Sequence, residues 1–311
     1  MITRPPISYE KWGQCGKYFE WNDHHVFYQR GGNGEVLLTI HGFPTCGWDW
    51  AWVSKRLVSQ FHMVVPDLLD YGRTLNSLKK VCTIGDQADM LDALMAHRGI
   101  DEVHILAHDV GDTVAQELIA RHNESSLSFR IRSALFLNGG MLPAHHRPRR
   151  VQTLLAGPLG PLISQIALKG KMLKGFSDVF GPHTKPTDVS LDEFWPAMVG
   201  VNGRGAFARR IRYMAERIVN ADRWKRALAE AKLPMMLING VDDPVSGGHA
   251  ADAIEKELPN VKVVRLPGIG HFPQIEAPEA VAELVDQFHR CIVRNGYLRP
   301  SELKAAQGFM L

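Results

Sequence analysis

The sequence predicts an α/β chain built on a mostly parallel, doubly wound sheet that is interrupted by a helical insertion. Short, nearly continuous apolar runs alternate with segments of helical apolar spacing, as parallel strands covered by helices on both faces require. From about Met141 to Leu233 that rhythm breaks into helical segments with Pro and Gly clusters ("LLAGPLGPLIS", "VFGPHTKPTD") and no convincing strand. A chain of 311 residues, 45% of them hydrophobic, is also long enough to bury a large core.

Six strands are expected in order: "EVLLTIHG" (35 to 42), "HMVVPDLL" (62 to 69), "EVHILAH" (102 to 108), "SALFLNGG" (133 to 140), "PMMLING" (234 to 240) and "VKVVRLPG" (261 to 268). Between them, "TIGDQADMLDALMAHRG" and "APEAVAELVDQFHRCIVRNG" place apolar residues at helical spacing, and each ends in Gly, a common helix stop. The expected organisation is a core over 1–140, a helical cap over 141–233 and the rest of the core over 234–311.

Composition removes several classes of function. The formal net charge is +3, with both signs interspersed, so no overall field argues for nucleic acid. The N-terminus "MITRPPISYEKWGQCGKYFEW" lacks the charged start and apolar run of a secretory signal. No window reaches the 18 or so apolar residues of a membrane-spanning helix. Cys15, Cys46, Cys82 and Cys291 are far apart, without CxxC spacing or a His cluster suggesting zinc. They read as reduced thiols of a cytoplasmic protein. The expectation is no metal, no cofactor, and a small hydrophobic substrate with water as partners; a homodimer is left open.

One turn carries the chemistry. A small residue, any residue, a nucleophile, any residue and Gly, set between a buried strand and a helix, is the nucleophile elbow usually written GxSxG. Here the five positions are Ala107, His108, Asp109, Val110 and Gly111, which puts Asp109 where the nucleophile belongs. The bland alternative for Asp109 is a helix N-cap. Further along, "GVDDP" (240 to 244) follows one strand and "PGIGHFPQIEAPE" (267 to 279) follows the last, giving the chain order nucleophile, acid, His. Asp243 is the expected acid, with Asp242 as its rival, and His271 the expected base. "HGFPT" (41 to 45) follows the "EVLLTI" strand, where a backbone N–H completes an oxyanion hole; the expected donors are the amides of Phe43 and Val110.

An aspartate changes the reaction. Its carboxyl, with a pKa of about 3.9, is already ionised at neutral pH and needs no base before it attacks. Attack on an sp3 carbon bearing a leaving group gives an alkyl ester, whereas attack on an ester carbonyl gives only an anhydride, so an ordinary esterase is disfavoured. In the second step His271, oriented by Asp243, deprotonates a water that attacks the Asp109 carbonyl carbon.

These residues resemble the aspartate-nucleophile branch of the α/β-hydrolases, which contains epoxide hydrolases and haloalkane dehalogenases. The resemblance is carried by Thr39 to Thr45, Ala107 to Leu118, Asn138 to Pro148 and Val179 to Pro186, and so reaches into the cap. It implies the α/β-hydrolase fold and an Asp-Asp-His triad. Dehalogenases of that branch typically hold the halide with a Trp after the nucleophile and an Asn in the oxyanion loop; here those positions are Val110 and Phe43, which demotes dehalogenation. Epoxide hydrolases usually polarise the ring oxygen with two cap tyrosines, and this cap has one, Tyr213. Trp195, His145, His146 or a tyrosine outside the cap would have to supply the second donor. The leading expectation is an epoxide hydrolase. The alternatives are a dehalogenase or a hydrolase of another activated carbon such as a strained lactone, and a binding protein that keeps the fold without turnover.

Other features read more plainly. "HHRPRR" (145 to 150) and "GRGAFARRIRYMAER" (203 to 217) are expected to be solvated basic faces. His108 is expected to fill a packing role, Asp112 to favour its helix N-terminus, and "WDWAW" (48 to 52) to pack beneath the oxyanion loop. Tyr71, in "DLLDYGRT", either faces the site or closes a turn.

Overall fold

The computed structural model describes residues 5–166 and 168–295. All six expected strands form, and three more extend the sheet. In chain order they are β1 (Lys17–Trp21), β2 (His24–Gly31), β3 (Glu35–Ile40), β4 (Phe61–Pro66), β5 (Leu75–Asn76), β6 (Glu102–His108), β7 (Arg130–Leu137), β8 (Met235–Gly240) and β9 (Val261–Leu266). The sheet runs β1-β2-β4-β3-β6-β7-β8-β9, with β5 pairing to β2. Every neighbour pair from β4 through β9 is parallel, and the β1–β2 and β2–β4 pairs are antiparallel.

The β1–β2 hairpin was not expected, because β1 buries only Phe19 and the apolar run of β2 is just Val26 to Tyr28, flanked by polar residues. Its two-residue turn, Asn22-Asp23 between Trp21 and His24, with Asn22 at φ 48°, suits residues that tolerate the left-handed region. The central strands are dark on both faces: Leu37, Leu38, Ile105, Leu106, Phe136 and Leu137 are all buried. β6 lies between β3 and β7, so its C-terminal end opens at the middle of the sheet, where the strand order changes direction.

The two expected helices form over Ile84–His97 and Pro278–Asn295. Gly99, with φ 63°, follows the first, and the Gly296 stop expected after the second lies outside the described residues. Between β7 and β8 the chain makes helices and contributes no strand to the sheet: Arg150–Ala156, Gly160–Gln165, Lys169–Ser177, Asp188–Val199, Ala206–Arg210, Tyr213–Val219 and Ala221–Glu230. The last of these packs on the helix after β6, where the Trp224 indole N–H donates to Glu117 at 2.8 Å. No helix among the described residues is long and apolar enough to cross a membrane. The four cysteines are unpaired.

Candidate active site

β6 ends at His108, and the next residue turns the chain. Asp109 has φ 50° and ψ −108°, and the helix Val110–Asn123 starts immediately after it. That backbone lies outside the ordinary left-handed well and costs on the order of 1–3 kcal/mol, a strain characteristic of functional turns. Gly111 is required by the same turn, since a Cβ there would lie 2.2 Å from the Ile40 carbonyl oxygen of β3. The side chain of Asp109 makes no N-cap hydrogen bond. It turns instead to the loop after β3, where Oδ2 accepts the Phe43 N–H at 3.0 Å. Val110 is buried directly beside it.

His271 and Asp243 are brought together beneath the same end of the sheet. His271 Nδ1 lies 2.8 Å from Asp243 Oδ2. The Asp243 carboxylate also accepts the Val245 and Ser246 N–H groups at 2.7 and 3.0 Å and the Asn138 amide at 3.1 Å. Asp242, in contrast, is exposed and accepts the Gly268 N–H at 2.6 Å. Of the two rivals, Asp243 is the one that meets the imidazole.

Contacts from the loop after the helix Lys169–Ser177 fix the backbone around His271. The His271 backbone N–H donates to the Val179 carbonyl at 2.9 Å. Glu276 gathers the Gly181 and Gly270 N–H groups at 2.8 Å each and the Phe272 N–H at 2.9 Å, and it also bonds the Thr184 hydroxyl. His108 does more than pack: its Nε2 bonds the His271 carbonyl at 2.8 Å.

Charge at the site is strongly coupled. Burial alone would raise the Asp109 pKa, but the Arg217 guanidinium, then His271, outweigh it and hold the carboxyl below its ordinary value. Burial works against charge on His271 as well; the Asp243 carboxylate, its hydrogen bond and the Asp109 charge overcome it and raise the imidazole to about 9. Burial pushes the Asp112 carboxyl well up, reinforced by the Asp109 charge, and the side chain packs against Gly139.

Arg217 is the residue that sequence reasoning missed. It belongs to the cluster expected to be a solvated basic face, yet only 2% of it is exposed. Its Nη2 donates to the Asp109 carbonyl at 2.9 Å and lies 3.4 Å from Oδ1, while Nε donates to the Thr113 hydroxyl at 2.7 Å. Nη1 is buried without a hydrogen-bond partner among the described residues. The available signal was its spacing, four residues after Tyr213 on one helix face. Arg209 and Arg210 of the same cluster are also structural, holding the Asp70 carboxylate at 2.7 Å and the Asp70 carbonyl at 2.6 Å.

The other expected site residues divide. Tyr213 is buried, its ring 6.2 Å from that of Phe43 and 4.6 Å beneath the Arg217 guanidinium. Tyr71 is buried too, edge-on to His41 at 5.1 Å. Both hydroxyls are buried without a hydrogen-bond partner among the described residues. Burial pushes both phenols up, and each feels the Asp109 charge, which sets the pair around the carboxylate. His146 sits beside Arg217 and Gly140 with both ring nitrogens buried, and burial together with the Arg217 charge lowers it to about 4. His145 points elsewhere and meets Glu257 at 3.0 Å. Trp195 packs toward Phe207, 6.4 Å away in the cap. An apolar cleft with room for about 60 Å³ reaches His271 between Phe43, Met172, Phe176, Met198 and Phe272.

The chain is similar to known proteins over most of its length. The family model for the alpha/beta hydrolase fold matches residues 35–278. The mesoderm-specific transcript homolog protein of Bos taurus is 33% identical over 291 residues, covering 89% of this chain and 87% of that protein. A putative hydrolase, LipZ, of Mycobacterium tuberculosis is 31% identical over 283 residues, covering 91% of this chain and 97% of that one. Among solved structures, a haloalkane dehalogenase from Agrobacterium tumefaciens superposes with a TM-score of 0.73 at 18% identity, over 88% of this chain and 96% of that one, which speaks to the fold alone.

Proposed function

The chain belongs to the α/β-hydrolase fold family, and from that premise we propose a hydrolase that works through a covalent alkyl ester on Asp109, with an epoxide as substrate. The observation that carries the proposal is the carboxylate itself. It occupies the elbow in a strained backbone, forgoes the N-cap bond, and offers Oδ2 to the Phe43 amide.

With Oδ2 held there, Oδ1 is the oxygen that attacks the epoxide carbon. The C–O bond of the ring breaks as the Asp109 ester forms, and the ring oxygen takes a proton from a phenol. Tyr213 from the cap and Tyr71 from the loop after β4 supply the two donors, and burial keeps both protonated. Arg217 Nη1 adds a further donor to the oxygen that develops charge. Water then attacks the Asp109 carbonyl carbon, its proton passing to His271 Nε2, while the negative charge that gathers on Oδ2 meets the Phe43 N–H, with the Val110 amide as second donor. As the intermediate collapses, the departing alkoxide oxygen takes the proton from His271 Nε2 to complete the diol, and the proton left on the Asp109 carboxyl returns to the phenolate, restoring carboxylate and phenol.

At about 9, His271 is protonated in the resting enzyme at neutral pH and cannot accept a proton. Esterification neutralises Asp109 and so removes one of the charges that raise it. The base becomes competent only after the first step has occurred. The helical segment 141–233 acts as the cap, supplying Tyr213, Arg217 and much of the apolar cleft. The unpaired thiols suit a cytoplasmic setting.

Intact-mass analysis of a His271→Gln variant, incubated with a panel of epoxides and haloalkanes, tests this. A substrate-sized mass on Asp109 with epoxides is the expected result. An adduct formed only with haloalkanes, with halide released, moves the substrate class to dehalogenation. A single turnover of wild type in heavy-oxygen water that labels the product, while Asp109 stays unmodified, rejects the ester mechanism.

A further inference from the structure

At the opposite end of the sheet from the elbow, three side chains that are distant in sequence converge. Glu35 opens β3, His104 lies in β6, and His289 comes from the helix Pro278–Asn295. One ligand atom from each lies within 4.8 Å of the others. His104 Nε2 is 3.7 Å from Glu35 Oε2, His289 Nε2 is hydrogen-bonded to the same oxygen, and the two imidazole rings stand edge to face with centroids 5.0 Å apart. Phe61 closes one side, its ring 4.7 Å from His289.

Two features separate this cluster from an ordinary His–Glu pair. His104 is 97% buried, being 3% exposed, and its Nε2 is buried without a hydrogen-bond partner among the described residues. Its other nitrogen is fixed: Nδ1 lies 2.7 Å from the Ser133 hydroxyl of β7. A hydrogen bond on the far nitrogen is how proteins orient a metal-binding imidazole and choose its tautomer.

We propose that Glu35, His104 and His289 form a zinc-binding site that fastens the C-terminal helix to β3 and β6. Two imidazoles and one carboxylate are a zinc donor set, with a fourth tetrahedral position left for water. Bonds of 2.0–2.2 Å put tetrahedral ligand atoms about 3.3 Å apart, so the three atoms need only small side-chain rotations to close on an ion. Glu35 and His289 are the more accessible members, with side chains 46% and 17% exposed, and they provide the way in. Arg132 also lies near Glu35 and His104, but it is engaged by Glu102 at 3.3 Å. His104 precedes Asp109 by five residues on an extended strand, about 16 Å away, so the ion takes no part in the hydrolytic chemistry.

The test uses the full-length, tag-free protein, stripped with a chelator and titrated with zinc chloride by calorimetry, and separately with cobalt(II) followed by its visible absorption. One equivalent bound at micromolar free metal, with a rise in Tm, is expected. Glu35→Gln with His289→Ala, both at partly exposed positions, should abolish that binding while the chain stays folded. Ser133→Ala should weaken it about 10- to 100-fold without touching a ligand. No saturable binding by wild type, or wild-type affinity in the double variant, overturns the proposal.

Discussion

Arg217 sets the electrostatics of Asp109, and its removal is informative because the two groups are both buried. With leucine at 217 the carboxyl loses the strongest influence holding its pKa down, and burial then raises it. On the proposed mechanism Asp109 must be ionised to attack, so the acid limb of kcat/KM for Arg217→Leu should move to higher pH than in wild type. A limb that stays in place would deny Arg217 this role. His271 responds to the same carboxylate from the other side. In Asp109→Asn the charge is gone, and NMR titration of the imidazole should give a midpoint below the resting value of about 9. On the same mechanism His271 must be deprotonated to act on the ester, so kcat should rise with pH, with a midpoint below about 9 because the esterified Asp109 carries no charge. The phenols separate by product chemistry. Tyr213→Phe and Tyr71→Phe should each slow formation of the ester from epoxides while leaving its hydrolysis unchanged, as read by rapid-quench mass analysis.

At the scale of the element, the same local rules that position the site also explain what could be read in advance. The six apolar strands and the elbow were legible because buried parallel strands and a strand-turn-helix junction leave dense, local signals. The β1–β2 hairpin was not, since its apolar runs are short and set among polar residues, so the signal is weak. The helix Ile84–His97 begins with a reciprocal box, in which Thr83 Oγ1 accepts the Asp86 N–H at 3.0 Å and Asp86 accepts the Thr83 N–H at 2.7 Å. Thr83→Ala should cost about 1 kcal/mol, measured as a lower urea midpoint at unchanged m-value. The "VFGPHT" stretch was recognisable only as a resemblance. Its physical reason needs the third dimension: Val179, Gly181 and Thr184 meet His271, Glu276 and Gly270 across the gap between cap and core.

Over the whole molecule, what the sequence hid is the origin of the charges that face each other across elements. Basic residues in a run look alike on paper, and burial alone tells Arg217 and Arg210 from an exposed neighbour such as Arg212. Likewise Glu35, His104 and His289 have no meaningful spacing, because a sheet and a returning helix bring them together. The fastening of cap to core can be tested at Asp70, which accepts two hydrogen bonds from Arg209 at 2.7 and 2.9 Å in a backbone with φ 72°. Asparagine tolerates that backbone, so Asp70→Asn isolates the lost charge; it should cost on the order of 2 kcal/mol, seen as a lower Tm.

The guanidinium at position 217 lies on a helix of the segment 141–233 while its anionic partner follows the end of β6. Parting them exposes two opposite buried charges at once, so on the proposed mechanism the closed arrangement is self-locking while the carboxylate is free. Esterification would remove the negative half of that lock, and the two elements would then part most readily at the stage when a water molecule must enter.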